Sequence, residues 1–337
     1  MDLRYEQIQS WLQSLNRFQS GELTAPVAAS SDASFRRYFR VIYASPQGEE
    51  SWIVMDAPPA QEDCRPFIQV SHQLSELGLQ VPKVVEQDLQ QGFLLLTDLG
   101  TRTYLSALNP SNADVLYRDA LDALVKLQTQ ASADKLPDYD AGMLGAEMDL
   151  FTDWLGEKHC DLAMSPLEHQ AWLSVKQQLI QSARAQPQVY VHRDYHSRNL
   201  MLTTQDNPGI LDFQDAVKGS MTYDAVSLLR DCYIVWPPEQ VREWQREYFL
   251  MLCQTGRLSQ HEWSDFLRAM DWMGIQRHLK ASGIFARLYH RDGKDGYLQD
   301  IPATLNYIIE VGRQYPPMHA LVDWTEKLAL AYNKAAR

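Results

Sequence analysis

Three oxygen-bearing side chains in the stretch Val189 to Asp215 are spaced for metal-assisted group transfer: Asp194, Asn199 and Asp212. Leu200-Met201-Leu202 reads as a short strand, the segment 203–208 is dense in turn formers, and Gly209-Ile210-Leu211 reads as a returning strand that ends at Asp212. If the two strands pair antiparallel, Asn199 and Asp212 lie at the same end of the hairpin. An amide oxygen and a carboxylate placed together suit Mg²⁺. Asp194 is then left as a carboxylate that can take the proton of an attacking hydroxyl. That combination is the one phosphoryl transfer from ATP requires.

These residues need a scaffold, and the rest of the chain supplies one of a definite kind. At 337 residues the chain exceeds one typical core, so two lobes are expected. The net charge of −12, with no cluster of Lys or Arg, argues against a nucleic-acid partner, which would need a basic face. Cys64, Cys160, Cys232 and Cys253 are far apart and form no C-x-x-C, as expected of free thiols in a reducing compartment. The start of the sequence lacks the basic and apolar regions of a signal peptide, and no apolar run is long enough to span a bilayer, so a cytoplasmic protein without a membrane partner is expected.

In chain order, Tyr5 to Phe18 is an amphipathic helix with Ile8, Trp11, Leu12 and Leu15 on one face. Strands follow at Tyr38 to Tyr43, Trp52 to Asp56, Pro82 to Gln87 and Phe93 to Thr97, with a helix over Asp63 to Leu77 stopped by Gly78. After Gly100 the pattern turns helical: Val115 to Gln130, Met148 to His159 and Pro166 to Ala183, the last opened by a capping box at Ser165 and Glu168. Beyond the hairpin, helices are expected over Asp224 to Ile234, Glu239 to Gln254, Trp263 to Arg287, Ile301 to Val311 and Leu321 to Lys334. Arg277, His278 and Lys280 decorate the long one. His290-Arg291-Asp292 repeats the tripeptide at Asp194, but Tyr297 stands where an asparagine would be needed, so the repeat reads as chance.

The spacing H-R-D-x-x-x-x-N from His192 to Asn199, followed by Asp212-Phe213, resembles the catalytic and metal loops of protein kinase-like phosphotransferases. Asp212-Phe213-Gln214-Asp215-Ala216 and the following Thr222-Tyr223-Asp224 resemble the aminoglycoside phosphotransferase and choline kinase superfamily, which acts on small molecules. The resemblance implies an α+β bilobal fold: a small antiparallel-sheet lobe over 1–98 with a leading helix, and a larger, mostly helical lobe over 99–337. It implies Asp194 as catalytic base, Asn199 and Asp212 as Mg²⁺ ligands, Asp224 as a brace for the catalytic loop, and Asp98-Leu99 as the hinge that holds the adenine. It also places the nucleotide phosphates at Ser31, Ser34, Arg36 and Arg37, although no glycine lies between Ser30 and Tyr43 and a solvated turn is the competing reading. The lysine that a kinase carries on the strand Trp52 to Asp56 is absent, leaving Arg36, Arg37, Arg40 and Arg65 as its possible replacements.

The pieces SDASFRRYFRV, HRDYHSRNLM, LDFQDA, TYDAVSLLRD and GIQRHLKASGIFARL occur in order, and this set is similar to the bacterial anomeric kinases of N-acetylmuramate and N-acetylglucosamine in cell-wall recycling. That likeness implies ATP and Mg²⁺ as cofactors, an amino sugar phosphorylated at C1, a monomer or weak dimer, and a basic residue for the lactyl carboxylate. Arg230 and Arg277 are candidates for it, with Asp231 beside them as a further substrate contact. Two alternatives remain at this level: transfer to a polycationic aminoglycoside, and a nucleotide-binding pseudokinase without turnover.

Overall fold

The computed structural model describes residues 2–31 and 35–335. Ser34 lies outside them, and the side chain of Ser31 is likewise not described. The chain divides into two compact units, Met1–Thr103 with Leu200–Gln214, and Tyr104–Asn199 with Asp215–Arg337.

The first unit is built on an antiparallel sheet. Helix α1 (Leu3–Ser14) starts at Asp2, whose side chain accepts the Tyr5 N–H. Then come β1 (Glu22–Leu23), β2 (Val27–Ser31), β3 (Arg37–Ser45), β4 (Gly48–Asp56), α2 (Cys64–Glu76), β5 (Val84–Asp88) and β6 (Phe93–Thr97). The strand order is β1-β3-β4-β6-β5, with β2 also paired to β3. Alternation along β3 buries Phe39, Val41 and Tyr43 on one face, where they meet Ile8, Trp11 and Leu12 of α1 with Phe93 and Leu95 of β6. Leu94 and Leu96 point to the opposite face and are buried too, as an interior strand requires. Each such fully buried Leu or Phe stabilises the sheet by about 1.5–3 kcal/mol.

The hairpin of β8 (Leu200–Met201) and β9 (Gly209–Ile210) groups with this unit. Before these strands come α3 (Tyr104–Ala107), α4 (Ala113–Gln130), α5 (Ala141–Leu150), α6 (Pro166–Ala185) and β7 (Gln188–Val191), all in the second unit. After the hairpin, the second unit continues with β10 (Val217–Ser220), α7 (Tyr223–Leu229), α8 (Pro238–Gln254), α9 (Trp263–Asp292), α10 (Ile301–Gly312) and α11 (His319–Ala335). Its core gathers Phe151, Leu155, Trp172, Leu179, Ile275, Leu279, Phe285, Leu305, Trp324 and Leu328 around α9. None of the helices among the described residues is long and apolar enough to cross a membrane.

The elements depart from the sequence pattern in three places. The helix expected from Asp224 to Ile234 stops at Leu229, because the Asp231 side chain accepts the Tyr233 N–H at 3.0 Å and draws the chain into a turn. The helix expected from Met148 to His159 begins earlier, at Ala141, and changes to π winding over Phe151–His159. The strand β10, pairing antiparallel with β7 from Val217↔Val191 to Ser220↔Gln188, carries Lys, Gly and Ser, which announce no strand.

Gly283 of α9 fixes how closely α9 approaches α5. A Cβ there would lie 2.3 Å from the carbonyl carbon of Leu150, the last residue before the π segment. One turn back on each helix, Lys280 pairs with Glu147. Gly283→Ala is therefore expected to lower stability by about 1–3 kcal/mol in denaturant unfolding. Gly296→Ala, where a Cβ meets nothing within 4 Å, should change it by about 0.5 kcal/mol or less; equal effects at the two sites would contradict the packing account.

Candidate active site

The loop that carries Asp194 hangs between a strand and a short buried helix. Strand β7 delivers His192 and Arg193, and their backbone N–H groups donate to the two carboxylate oxygens of Asp224 at 2.7 and 3.0 Å. Asp224 stands in the first turn of α7 and is fully buried. A second carboxylate clamps the other end of the loop: Asp231 accepts from the Ser197 N–H at 2.9 Å. Arg193, the second of these donors, takes φ +76°, a left-handed conformation that ordinary side chains seldom adopt.

Within the loop the polar atoms are ordered by each other. The Asp194 N–H donates to His192 Nδ1 at 3.2 Å, which makes Nδ1 the unprotonated ring nitrogen. Asn199 donates from Nδ2 to the Asp194 carbonyl at 3.1 Å. That bond turns Oδ1, the end able to ligate a cation, away from the carbonyl. Asn199 immediately precedes Leu200, and Asp212 follows Ile210 by two residues, where Leu200 and Ile210 are partners in the β8–β9 ladder.

Around the half-buried Asp194 the second unit concentrates charge. Glu147 of α5 accepts from Arg193 at 2.7 Å and pairs with Lys280 at 3.0 Å, and it also takes a hydrogen bond from the Tyr139 hydroxyl. Lys280 donates as well to the Tyr223 hydroxyl at 3.0 Å. Burial pushes the Glu147 carboxyl up, but Lys280, Tyr139 and Arg193 outweigh it and hold it below the usual range. For Asp194 the balance runs the same way: burial raises it, and the cations Lys280 and Arg277, joined by the His196 and His192 rings only when these are protonated, bring it below the ordinary carboxylate value. Asp194 is thus poised to be ionised at neutral pH, as a base must be.

The first unit treats its cations differently. Fully buried Asp56, at the end of β4, receives Arg37 from Nε at 2.9 Å and Nη2 at 2.6 Å, and also Arg4 from Nε at 3.1 Å. Arg37 reaches Asp2 as well. Arg36 pairs with Glu62 at 2.9 Å, Arg65 with Asp63 at 2.9 Å, and Arg40 with Asp98 at 2.6 Å. Asp98 in turn caps the Gly100 N–H at 2.9 Å. The hairpin is stitched to this unit through Ile210 N–H to Gln80 O at 2.7 Å and Leu202 N–H to Arg102 O at 2.8 Å. Gly209 packs closely there: a Cβ would lie 2.9 Å from Leu99 Cδ1 and 3.1 Å from Thr203 Cγ2, so these side chains would have to shift for a larger residue. Asp212 takes φ +61° and accepts from Gln214 Nε2 at 2.6 Å, while its neighbour Phe213 packs on Phe67 of α2 at 4.8 Å between ring centroids.

A family model described as "Phosphotransferase enzyme family" matches residues 27–263. The chain belongs to that family. It is 46% identical over 337 residues to the N-acetylmuramate/N-acetylglucosamine kinase of Pseudomonas putida, covering 97% of each chain. It is also 46% identical over 314 residues to the kinase of the same name from Pseudomonas aeruginosa, covering 91% of each. Among solved structures, the choline kinase of Streptococcus pneumoniae superposes with a TM-score of 0.58 at 11% identity, over 90% of this chain and 98% of that one. At that identity the likeness shows the fold: an antiparallel-sheet N-terminal region followed by a helical C-terminal region, the architecture of the kinase-like phosphotransferases.

Seen residue by residue, the sequence motifs of this phosphotransferase fall in distinct surroundings. Asp194 and Asn199 share the braced loop. Asp212 belongs to the hairpin's own unit. The guanidinium groups of Arg36 and Arg37 are engaged with carboxylates, and the Asp98 carboxylate with Arg40. Asp231 is a loop clamp, and Arg230 lies over the Tyr307 ring at 5.0 Å. Arg277, His278 and Lys280 do not decorate a surface; they are 8%, 3% and 8% exposed. Sequence reasoning missed Glu147 entirely. Its one signal was position: it stands between the buried Leu144 and Met148 of α5, a charge next to an apolar stripe.

Two outcomes follow for this phosphotransferase. Glu147→Gln leaves Lys280 and Arg193 without their shared counter-charge, so urea unfolding should show a loss of about 3 kcal/mol; a change below about 0.5 kcal/mol would mean the pairing is idle. Burial pushes the Asp224 carboxyl up from 3.8 to about 6, against the pull of His192 and the two backbone donors. Its folded value exceeds its unfolded one, so its stability contribution is present below pH ~4 and lost as pH rises through ~6. The brace itself needs two acceptor oxygens, so activity should run opposite, with kcat/KM falling as pH drops through about 6. A profile flat from pH 8 to 5 would contradict this.

Proposed function

We propose that this phosphotransferase uses Mg²⁺-ATP to phosphorylate the anomeric C1 hydroxyl of N-acetylmuramate or N-acetylglucosamine by direct in-line transfer, in the cytoplasm where ATP is supplied. The observation that carries the reading is Asp194: a carboxylate held ionised against burial by the cations Lys280 and Arg277, on a loop fixed by Asp224 and Asp231. Relatives that share nearly the whole chain are named as kinases of these two sugars, which supports the acceptor class.

Asp194 orients the C1 hydroxyl and accepts its proton as the new O–P bond forms. The β–γ bond of ATP breaks, and ADP leaves with the electron pair. An anomeric hydroxyl is more acidic than an ordinary alcohol, so a carboxylate with a low pKa suffices as base. Asn199 and Asp212 are the proposed Mg²⁺ ligands, and their oxygen donors fit a hard cation. No group of three or more His, Cys, Asp or Glu suited to a metal occurs among the described residues. The fit is thus to a metal held by one or two protein ligands plus nucleotide phosphates, the usual situation of Mg²⁺. When bound, Mg²⁺ would offset charge on the β- and γ-phosphates. On the nucleotide side, the backbone at Asp98-Leu99 is proposed for the adenine, and the segment 31–37 for the phosphates. The ion pairs of Arg36 and Arg37 would have to exchange for those two side chains to take part.

Two cations acting on Asp194, namely Lys280 and Arg277, disfavour a polycationic acceptor. ADP release with Mg²⁺-ATP should therefore be seen with N-acetylmuramate or N-acetylglucosamine and not with kanamycin, and EDTA should abolish it. Asp194→Asn should reduce the rate by about 10²–10⁴-fold. Turnover of kanamycin alone, or full activity of Asp194→Asn, would overturn the assignment.

A further inference from the structure

Arg277 is a buried cation with no ion-pair partner among the described residues, although the Asp194 and Asp231 charges act on it from a distance. It is 8% exposed, and a guanidinium carries five N–H donors. Among the described residues its side chain hydrogen-bonds to Ser227 Oγ, lies 5.7 Å from the Tyr223 ring, and leaves Nε buried without an acceptor. No Asp or Glu stands within ion-pair distance of it among the described residues, whereas Arg193 and Lys280 in the same cluster share Glu147. Asp231, two residues after the end of α7, cannot take the role of anion partner easily, since its oxygens already accept the Ser197 and Tyr233 N–H groups at 2.9 and 3.0 Å. Burying a guanidinium in this state is costly unless a ligand completes it. Arg277 is also close enough to the reacting centre for it and Asp194 to influence each other's charge.

We infer that Arg277 is the specificity residue for an anionic substituent on the sugar: its open donors receive the carboxylate of an acid such as the lactyl group of N-acetylmuramate. This assignment rests on the sugar-kinase reading above. Arg230 also leaves Nε buried without an acceptor, but it is the weaker choice because it lies over Tyr307 in a different cluster with Asp271 and is not among the charges acting on Asp194. A planar fork meets a carboxylate through two parallel hydrogen bonds, which a lysine in the same place would not reproduce. The neutral sugar N-acetylglucosamine lacks the lactyl group and makes no demand on this fork.

A cation that served only to keep Asp194 ionised would affect every acceptor alike. A fork that reads a carboxylate affects the acid more. The test is the ratio of kcat/KM for N-acetylmuramate to that for N-acetylglucosamine, measured on the wild type, Arg277→Gln and Arg277→Lys, with thermal melting to confirm folding. The expected result is a fall in the ratio of about 10–100-fold in Arg277→Gln, carried mainly by KM, and a smaller fall in Arg277→Lys. A ratio that moves less than about twofold in both variants, whatever the common rate does, overturns the assignment and leaves the kinase reading standing. So does a wild type that turns over only the neutral sugar. A wild type that turns over neither sugar overturns the kinase reading itself, and this assignment with it.

Discussion

The loop that carries Asp194 is held from behind by a buried carboxylate, and much of the second unit is arranged to make that possible. Asp224 offers two oxygens to two consecutive backbone N–H groups, His192 and Arg193. Arg193, the second of these donors, takes a left-handed conformation at φ +76°, which turns the chain just before Asp194. The backbone strain this introduces is of order 1–3 kcal/mol. Asp224 reaches the loop because α7 is short and buried on every side, and α7 is short because Asp231 ends it while clamping Ser197. Loop, helix and helix stop are one device.

Electrostatics completes it. Arg193, bent out of the chain by the brace, would be a half-buried cation without a partner were Glu147 not there. Glu147 in turn shares itself with Lys280, and the approach of α9 that makes this possible depends on Gly283 against Leu150. In the first unit the arginines are taken up by carboxylates: Arg4 and Arg37 by Asp56, Arg36 by Glu62, Arg40 by Asp98. Strand β4 has no lysine at all. The proposed reaction therefore leans on the cations of α9, where Lys280 and Arg277 act on the charge of Asp194.

The sheet and the loop that carries Asp194 were legible in the sequence for physical reasons. Alternation at Phe39, Val41 and Tyr43 is a property of the strand itself, and the spacing from Asp194 to Asn199 is local. The hairpin was legible because its turn is dense in turn formers and its arms are apolar. What was not legible depends on partners distant in sequence. Arg37 looks like a free surface arginine until Asp56 and Asp2 are seen beside it. Lys280 and Arg277 look like the polar face of a long helix, and only packing on several sides shows that α9 has little polar face there. Glu147 gave no motif, since its role is set by Lys280, more than a hundred residues away. The strand β10 was invisible because its pairing with β7, not its composition, makes it a strand.

The central claim is that the braced carboxylate of Asp194 takes a proton from an anomeric hydroxyl. The most direct measurement is phosphorus NMR of the product formed from Mg²⁺-ATP and N-acetylmuramate, read for coupling of the phosphorus to the sugar protons. The account predicts a phosphate monoester coupled to the proton on C1. A monoester coupled to protons at C4 or C6, with C1 unmodified, would contradict it.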